Sequence, residues 1–236
     1  MFSFATIVVI GFLLGMRHAL DPDHVIAVTT IVSSQRSIGK ATLIGAMWGL
    51  GHTFTIFLVG AAIILFGVAI PPRLGLAMEM AVGIMLILLG LLNLSGILQQ
   101  LQSKFTPRAE RQVAQDLAAV PARLGRYNTL RPLAVGIVHG LAGSAAVALL
   151  VMTTIRQPWW AIVYLLLFGV GTIAGMMLIT TAISAPFVQT ARRFAAWNQR
   201  LSTAAGLLSL AFGFFVAYQV GFVDGLFTDH PHWTPH

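Results

Sequence analysis

The chain has 236 residues, of which 57% are hydrophobic and only 9% charged, and its mean hydropathy is +0.86. Because soluble domains carry about 25% charged residues, this composition excludes an ordinary soluble domain and predicts an all-α, polytopic membrane protein. The chain has no cysteine, which excludes disulfide frameworks and thiolate metal sites. Its net charge is +7, and the basic residues lie between apolar stretches. This placement indicates membrane topology signals rather than a nucleic-acid-binding surface.

Six apolar segments predict about six transmembrane helices, at roughly 20 apolar residues for each crossing. In chain order they cover about residues 4–33, 41–69, 75–98, 128–155, 160–185 and 201–227. The first segment is too long for one regular helix. It contains Asp21-Pro22-Asp23, where proline removes a backbone donor, so we expect the helix to be broken there. The N-terminus lacks the features of a cleaved signal, so we expect the whole chain to be mature and embedded.

Positive charges are distributed unevenly among the connections. The first, third and fifth connections hold Arg36, Lys40, Lys104, Arg108, Arg111, Arg123, Arg126, Arg131, Arg192, Arg193 and Arg200. The second and fourth hold only Arg73 and Arg156. The positive-inside rule therefore predicts a multi-pass protein of the cell inner (cytoplasmic) membrane with both termini outside. Residues 99–127 are then a cytoplasmic linker.

Glycine-rich landmarks recur in the same order in the two halves of the chain. The matched segments begin at Gly15 and Gly136, at Trp48 and Phe168, and at Ala81 and Ala204. Each half, 1–98 and 128–227, has three spans, so the second half enters the membrane from the opposite side. The pattern predicts a single transmembrane domain over 1–236, built as an inverted 3+3 repeat, which is common in secondary transporters.

Ionisable residues concentrate inside the first apolar segment, as Arg17, His18, Asp21, Asp23 and His24. Such residues cost about 2.5–3.5 kcal/mol in a span, so they usually face the protein interior and serve function. On an unbroken helix His18 and His24 would point about 240° apart, so only a break lets both imidazoles reach one ion. Imidazole with carboxylate suits divalent nickel, cobalt, zinc, copper or iron. We expect Arg17 to be a charge partner of Asp21 or Asp23.

Two more histidines, His52 and His139, fall at mid-span positions. For a lone membrane histidine the alternative to metal binding is an interhelical hydrogen bond. We favour a metal-related role for His52, either as a ligand or hydrogen-bonded to one, whereas both alternatives stay open for His139. The candidate metal-ligating residues are therefore His18, Asp21, Asp23, His24, His52 and His139. Glu79 and Asn93, near the ends of the third span, are expected to be structural.

The C-terminal segment from Asp229 to His236 contains three histidines and two prolines. We expect it to be a disordered terminus rather than a compact metal site. The sequence contains no nucleotide-binding loop, no G-x-S-x-G elbow and no ATPase motif. We therefore expect that the chain is not an enzyme, has no resident cofactor and is not an ATP-driven pump.

These motifs resemble those of the nickel/cobalt transporter (NiCoT) family. Residues 17–25, R-H-A-L-D-P-D-H-V, are similar to the family's R-H-A-x-D-A-D-H-I signature with its H-x4-D-H core intact. Residues 50–53 are similar to its L-G-H-[ST] element, and residues 139–146 to the H-G-L-A-G-S-A-A segment of the shorter, UreH-like branch. The chain differs from the classical transporters of the family in three ways. It has about six spans instead of eight, it has Pro22 where they have alanine, and it lacks their later L-G-x-D-T-A-T-E motif.

The resemblance implies secondary uptake of Ni²⁺ or Co²⁺ as substrate, with His18, Asp23 and His24 in the metal site. We expect alternating access between two inverted halves, with metal affinity falling below about pH 6.5 because imidazole must be neutral to bind a cation. The alternatives are a divalent-metal exporter, a membrane metalloenzyme, and a non-transporting accessory protein for metalloenzyme maturation. The expected partners are the lipid bilayer and a downstream metalloenzyme or chaperone.

Overall fold

The fold is helical throughout the described chain. The computed structural model describes residues 4–33, 35, 37–66, 70–95, 124–141, 155 and 157–233, and these ranges contain no strand. The helices are α1 (Phe4–His18), α2 (Pro22–Val32), α3 (Ile38–Phe66), α4 (Pro72–Leu94), α5 (Leu124–Gly140), α6 (Pro158–Arg193) and α7 (Ala195–Tyr218). A π-helical turn, Gln219–Val223, follows α7.

Four of these helices, α3, α4, α6 and α7, are long and apolar enough to cross a membrane. The shortest of them, α4, has 23 residues, about 34 Å at 1.5 Å per residue, against roughly 30 Å of hydrocarbon. Two shorter apolar helices, α1 and α2, cover the first predicted span. The chain is therefore an integral membrane protein. Part of the predicted fourth span, residues 142–154, and most of the predicted linker, residues 96–123, lie outside the described residues.

The first apolar segment leaves helical geometry at the expected place. α1 ends at His18, and α2 begins at Pro22, where the missing proline N–H would have no intrahelical partner in any case. Asp21 is extended (φ −59°, ψ 144°), as the residue before a proline prefers. This break turns the chain between His18 and His24.

Helices from the two halves of the chain pack mainly against each other. α3 lies against α5 and α6, α1 against α6, and α4 against α7. Close approaches occur at glycines whose contacts correspond when the halves are exchanged: Gly15 on Phe168 with Gly136 on Trp48, Gly51 on Leu133 with Gly171 on Phe12, and Gly90 on Gly206 with Gly213 on Gly83. A side chain at these glycines would meet the neighbouring backbone, which is how small residues permit close helix packing. The two halves are therefore interlocked rather than side by side.

A buried group of polar residues joins α2 to the α4–α7 pair. We call it the α2 clamp; it consists of Thr30, Ser33, Asn93 and Ser202. The Asn93 amide donates to Ser33 Oγ and to the Ser202 carbonyl, both at 3.2 Å, and Ser202 Oγ donates to Asn93 Oδ1 at 3.1 Å. Thr30 Oγ1 donates to the Ala205 carbonyl at 3.2 Å. The expected structural role of Asn93 is thus to tie three helices together.

The C-terminal segment folds back onto α4, so the expectation of a disordered terminus is wrong for its described residues, 229–233. The backbone turns at Gly225, whose φ of +85° favours glycine. Trp233 lies over Gly75, and its indole N–H donates to Glu79 Oε1 at 2.8 Å. The described histidines of this segment belong to none of the possible metal-binding groups found among the described residues. Aromatic docking, rather than the prolines, decides the local structure here.

Candidate metal centre

Four histidines from four helices meet at the break between α1 and α2. His18 ends α1, His24 lies in the first turn of α2, His52 lies in the middle of α3, and His139 lies in the last turn of α5. All four are buried, with His18 5% exposed and the others 0%. The ring centroids of His24 and His139 are 4.2 Å apart, and those of His18, His24 and His52 are 4.7–4.9 Å apart. The histidines thus form one cluster inside the helix bundle.

Two carboxylates hold three of these rings. Asp21 Oδ2 accepts a hydrogen bond from His18 Nδ1 at 2.7 Å. Asp23 contacts two histidines at once, with Oδ1 3.0 Å from His24 Nδ1 and Oδ2 2.9 Å from His139 Nε2. The structure therefore brings all six predicted residues into this cluster, including His139, for which metal binding and an interhelical hydrogen bond had both stayed open.

Several ring nitrogens in the cluster have no hydrogen-bond partner among the described residues. They are His24 Nε2, His52 Nδ1 and His139 Nδ1, all of them buried. A buried polar atom without a partner costs about 1–3 kcal/mol, so such atoms are rare in interiors that have no ligand to bind. Unprotonated imidazole nitrogens are also the protein donors that nickel, cobalt, copper and zinc accept.

The cluster contains two overlapping groups that could each hold a cation. One is formed by His18, His24 and His52, the other by Asp23, His24 and His139. Within each group the ligand atoms lie within 4.8 Å of one another. His24 belongs to both groups, which makes it the central residue of the site. In the first group His18 Nε2 and His52 Nε2 lie 2.8 Å apart, a hydrogen bond that an entering cation would have to open.

Aromatic side chains enclose the histidines. The Trp48 ring is parallel to His24 (centroids 6.2 Å apart) and edge-on to His139 (5.5 Å), and Phe168 lies 5.4 Å from His18. Apolar walls of this kind limit water access to a metal site and lower its local dielectric constant. Sequence reasoning used Trp48 and Phe168 only as repeat landmarks. Their position one residue before the matched Gly-x-Gly segments is the signal that could have identified them.

Arg17 takes no part in the cluster, so its expected pairing with Asp21 or Asp23 is wrong. The Arg17 side chain is exposed, and the ion pairs of Asp21 and Asp23 in the described chain are made with histidines. The reason is helical geometry, since neighbouring residues on α1 point about 100° apart. With His18 directed into the bundle, Arg17 is directed away from it.

The chain is similar to known proteins over most of its length. The family described as "NicO: High-affinity nickel-transport protein" matches residues 4–226. The "Urease accessory protein UreH" of Bacillus sp. (strain TB-90) is 37% identical over 222 residues, covering 94% of this chain and 95% of that protein. The "Chloroplast protein FOR GROWTH AND FERTILITY 1" of Arabidopsis thaliana is 23% identical over 210 residues, covering 86% of this chain and 56% of that protein.

No solved structure matches the chain. The matches to the nickel-transport family and to UreH extend over nearly the whole chain, and they confirm the resemblance indicated by the motifs. They also confirm that the chain is a transporter or accessory protein rather than an enzyme. The chain belongs to the NicO family of high-affinity nickel-transport proteins.

Proposed function

We propose that this chain is a secondary transporter that carries Ni²⁺, and also Co²⁺, inward across the cytoplasmic membrane. The observation that carries the proposal is the cluster of buried histidines with unpartnered ring nitrogens at a broken helix. Broken helices in membranes expose backbone and side-chain groups near the bilayer midplane, where transported ions bind. Neutral imidazole selects transition metals over Mg²⁺ or Ca²⁺.

The charges of the site match a divalent cargo. Asp21 and Asp23 supply two negative charges beside four imidazoles, so a bound divalent cation leaves the loaded site neutral. Neutrality matters because an uncompensated charge buried in a low-dielectric interior is very costly. Inward movement of the cation gains about 4.6 kcal/mol per 100 mV of inside-negative potential, enough for roughly thousandfold accumulation without ATP.

The matched glycine contacts support an inverted 3+3 repeat. A two-fold axis between the halves would produce such pairs, in which Gly15 on Phe168 corresponds to Gly136 on Trp48. In this arrangement α1 and α2 together form the first of six spans, and α5 belongs to the fourth. Trp233 contacts the first two turns of α4, so the C-terminal segment lies on the same side as the α3–α4 connection. The positive-inside rule makes that side the outside.

The interlocked halves suggest which helices move during transport. We propose that the α4–α7 pair, with α2 attached through the α2 clamp, moves against the group formed by α1, α3, α5 and α6. His24 belongs to the first group, whereas His18, His52 and His139 belong to the second. Relative motion of the two groups would therefore separate His24 from the other ligands and release the ion.

The test is Ni²⁺ and Co²⁺ uptake by proteoliposomes under an inside-negative potential. Wild type is compared with His24→Ala and with the control His232→Ala, which removes an exposed histidine of the C-terminal segment. We expect saturable uptake by wild type and by the control, and none by His24→Ala. If folded wild-type protein showed neither Ni²⁺ binding nor Ni²⁺ uptake, the metal assignment would be refuted. Release from preloaded liposomes under the same potential, without uptake, would instead make the chain an exporter.

A second candidate function is that of a non-transporting accessory protein that supplies metal to an enzyme. The 37% identity to a protein named as a urease accessory protein favours it. The same liposomes distinguish the two functions because they contain no partner enzyme. Tight Ni²⁺ binding without flux would support the accessory function and refute transport.

A further inference from the structure

The Asp23 carboxylate bridges two histidines, its chain neighbour His24 and the distant His139, 116 residues away, and this contact determines how both rings are held. Each carboxylate oxygen meets one ring nitrogen, Oδ1 with His24 Nδ1 at 3.0 Å and Oδ2 with His139 Nε2 at 2.9 Å. An ionised carboxylate only accepts hydrogen bonds, so both of these ring nitrogens must carry hydrogen. Oδ1 also accepts the backbone N–H of His24 at 2.9 Å, which fixes the carboxylate itself.

The opposite nitrogen of each ring is then unprotonated, because a neutral imidazole carries a single ring N–H. These opposite nitrogens are His24 Nε2 and His139 Nδ1. Both are buried and have no hydrogen-bond partner among the described residues. Two separate observations, the bridging carboxylate and the unpartnered nitrogens, therefore identify the same two atoms as available metal donors.

The remaining pair of histidines follows the same logic. Asp21 accepts from His18 Nδ1 at 2.7 Å, which leaves His18 Nε2 unprotonated. In the 2.8 Å contact between His18 Nε2 and His52 Nε2, the donor must then be His52, whose Nδ1 is left without hydrogen. That atom is again buried and unpartnered. Among the described residues no carboxylate makes a hydrogen bond to His52, so its proton is free to move when an ion displaces the bond to His18.

We propose that Asp23 is a positioning residue rather than a ligand: it holds His24 and His139 in opposite tautomers, so that His24 offers Nε2 and His139 offers Nδ1 to the cation. Asp21 positions His18 in the same way. Carboxylates that orient metal-binding histidines by accepting their second N–H are common in metal sites. The donor set is then all nitrogen, which disfavours oxygen-preferring Mn²⁺ and Mg²⁺. The inference rests on the proposed function for the identity of the cargo.

The test is the ¹⁵N NMR spectrum of the metal-free, full-length protein in liposomes, labelled at the histidine rings. Protonated and unprotonated ring nitrogens have distinct shifts, and single His→Gln variants assign each ring. In wild type we expect hydrogen on Nδ1 of His24 and on Nε2 of His139. The same tautomer on both rings would overturn the proposal.

Variants of the two carboxylates provide a matched pair. An Asn side chain offers one acceptor and one donor group, so in Asp23→Asn one of the two histidines should change to the opposite tautomer. Asp21→Asn should change only His18 and leave His24 and His139 as they are. Unchanged His24 and His139 tautomers in folded Asp23→Asn would overturn the assignment.

Metal loading separates positioning from ligation. At saturating Co²⁺ the cation should return the changed ring of Asp23→Asn to its wild-type tautomer, because only an unprotonated nitrogen can bind metal. The visible absorption bands should then match those of wild type, while the affinity falls about 10–100-fold, as for other residues that orient metal ligands. A different band pattern would make Asp23 a ligand and overturn the proposal. Because the tautomer measurement uses no metal, it succeeds or fails independently of Ni²⁺ transport.

Discussion

Replacing Gly136 by alanine should weaken both the packing of α5 on α3 and metal binding. A Cβ at Gly136 would meet the Trp48 carbonyl oxygen, and it would lie 3.0 Å from the His52 backbone nitrogen. Since two of these neighbours are backbone atoms, the helices must move apart, which for overpacking costs about 1–3 kcal/mol. Gly136 lies one turn before His139, and Trp48 one turn before His52. The displacement therefore moves His139 away from His52 and should lower Ni²⁺ affinity.

The assay combines reversible unfolding in detergent with equilibrium Ni²⁺ binding. The matched control is Gly39→Ala near the start of α3, where an added Cβ meets nothing within 4 Å. There alanine should stabilise the helix by up to about 1 kcal/mol through its helix propensity, and leave binding unchanged. Wild-type stability and affinity in Gly136→Ala, with the protein folded, would refute the argument that glycine contacts set the spacing of the histidines.

Three further predictions follow from other contacts. Asn93→Ala removes three interhelical hydrogen bonds of the α2 clamp. At about 0.6 kcal/mol each, their loss should lower the free energy of unfolding by roughly 2 kcal/mol. Unfolding in urea or detergent measures this free energy, and an unchanged value would contradict the prediction. Cysteines placed at Ser33 and Ser202, whose hydroxyl oxygens are 3.1 Å apart, can be joined by a disulfide. The disulfide should leave uptake intact, because both residues belong to the same moving group. Uptake that is lost on oxidation and restored by reduction would show instead that α2 separates from α7. Ni²⁺ affinity should fall on acidification, because protons compete with the cation for the imidazole nitrogens. Titration calorimetry measures the affinity, and a value that stayed constant from neutral pH to about pH 4 in folded protein would exclude imidazole ligation.

The parts of the fold set by local rules were predictable from the sequence. Pro22 fixes both the end of one helix and the start of the next through its ring and its missing N–H. Apolar length predicts α3 and α4 to within four residues at each end, whereas the ends of α6 and α7 differ from the predicted spans by up to nine residues. A membrane crossing sets a minimum number of apolar residues but does not fix where a helix ends. Dense ionisable residues in such a segment predict a functional cluster, since no lipid-facing surface would tolerate them.

The contacts that give each residue its role were not predictable in this way. The pairing of Asp23 with His139 joins residues 116 apart in the chain, so no local spacing rule applies to it. Similarly, the two prolines near the C-terminus indicate disorder, but the Trp233 ring packs over Gly75 and donates a hydrogen bond to Glu79. In both cases tertiary packing, rather than local propensity, decides the contact.

In the proposed transport cycle, the helix scaffold is symmetric and the ionisable cluster is not. The glycine contacts repeat in both halves, whereas the ionisable cluster does not: the positions matching Asp21 to His24 are Ala142 to Ala145. His18 and His139 are counterparts in the repeat, and rings from both helices lie beside His24. In an inverted repeat the outward-open and inward-open states exchange the roles of the two halves, so a site near the axis is accessible from both sides in turn. In the proposed transport cycle, a symmetric scaffold around one asymmetric metal site would thus let a single set of ligands serve both faces of the membrane.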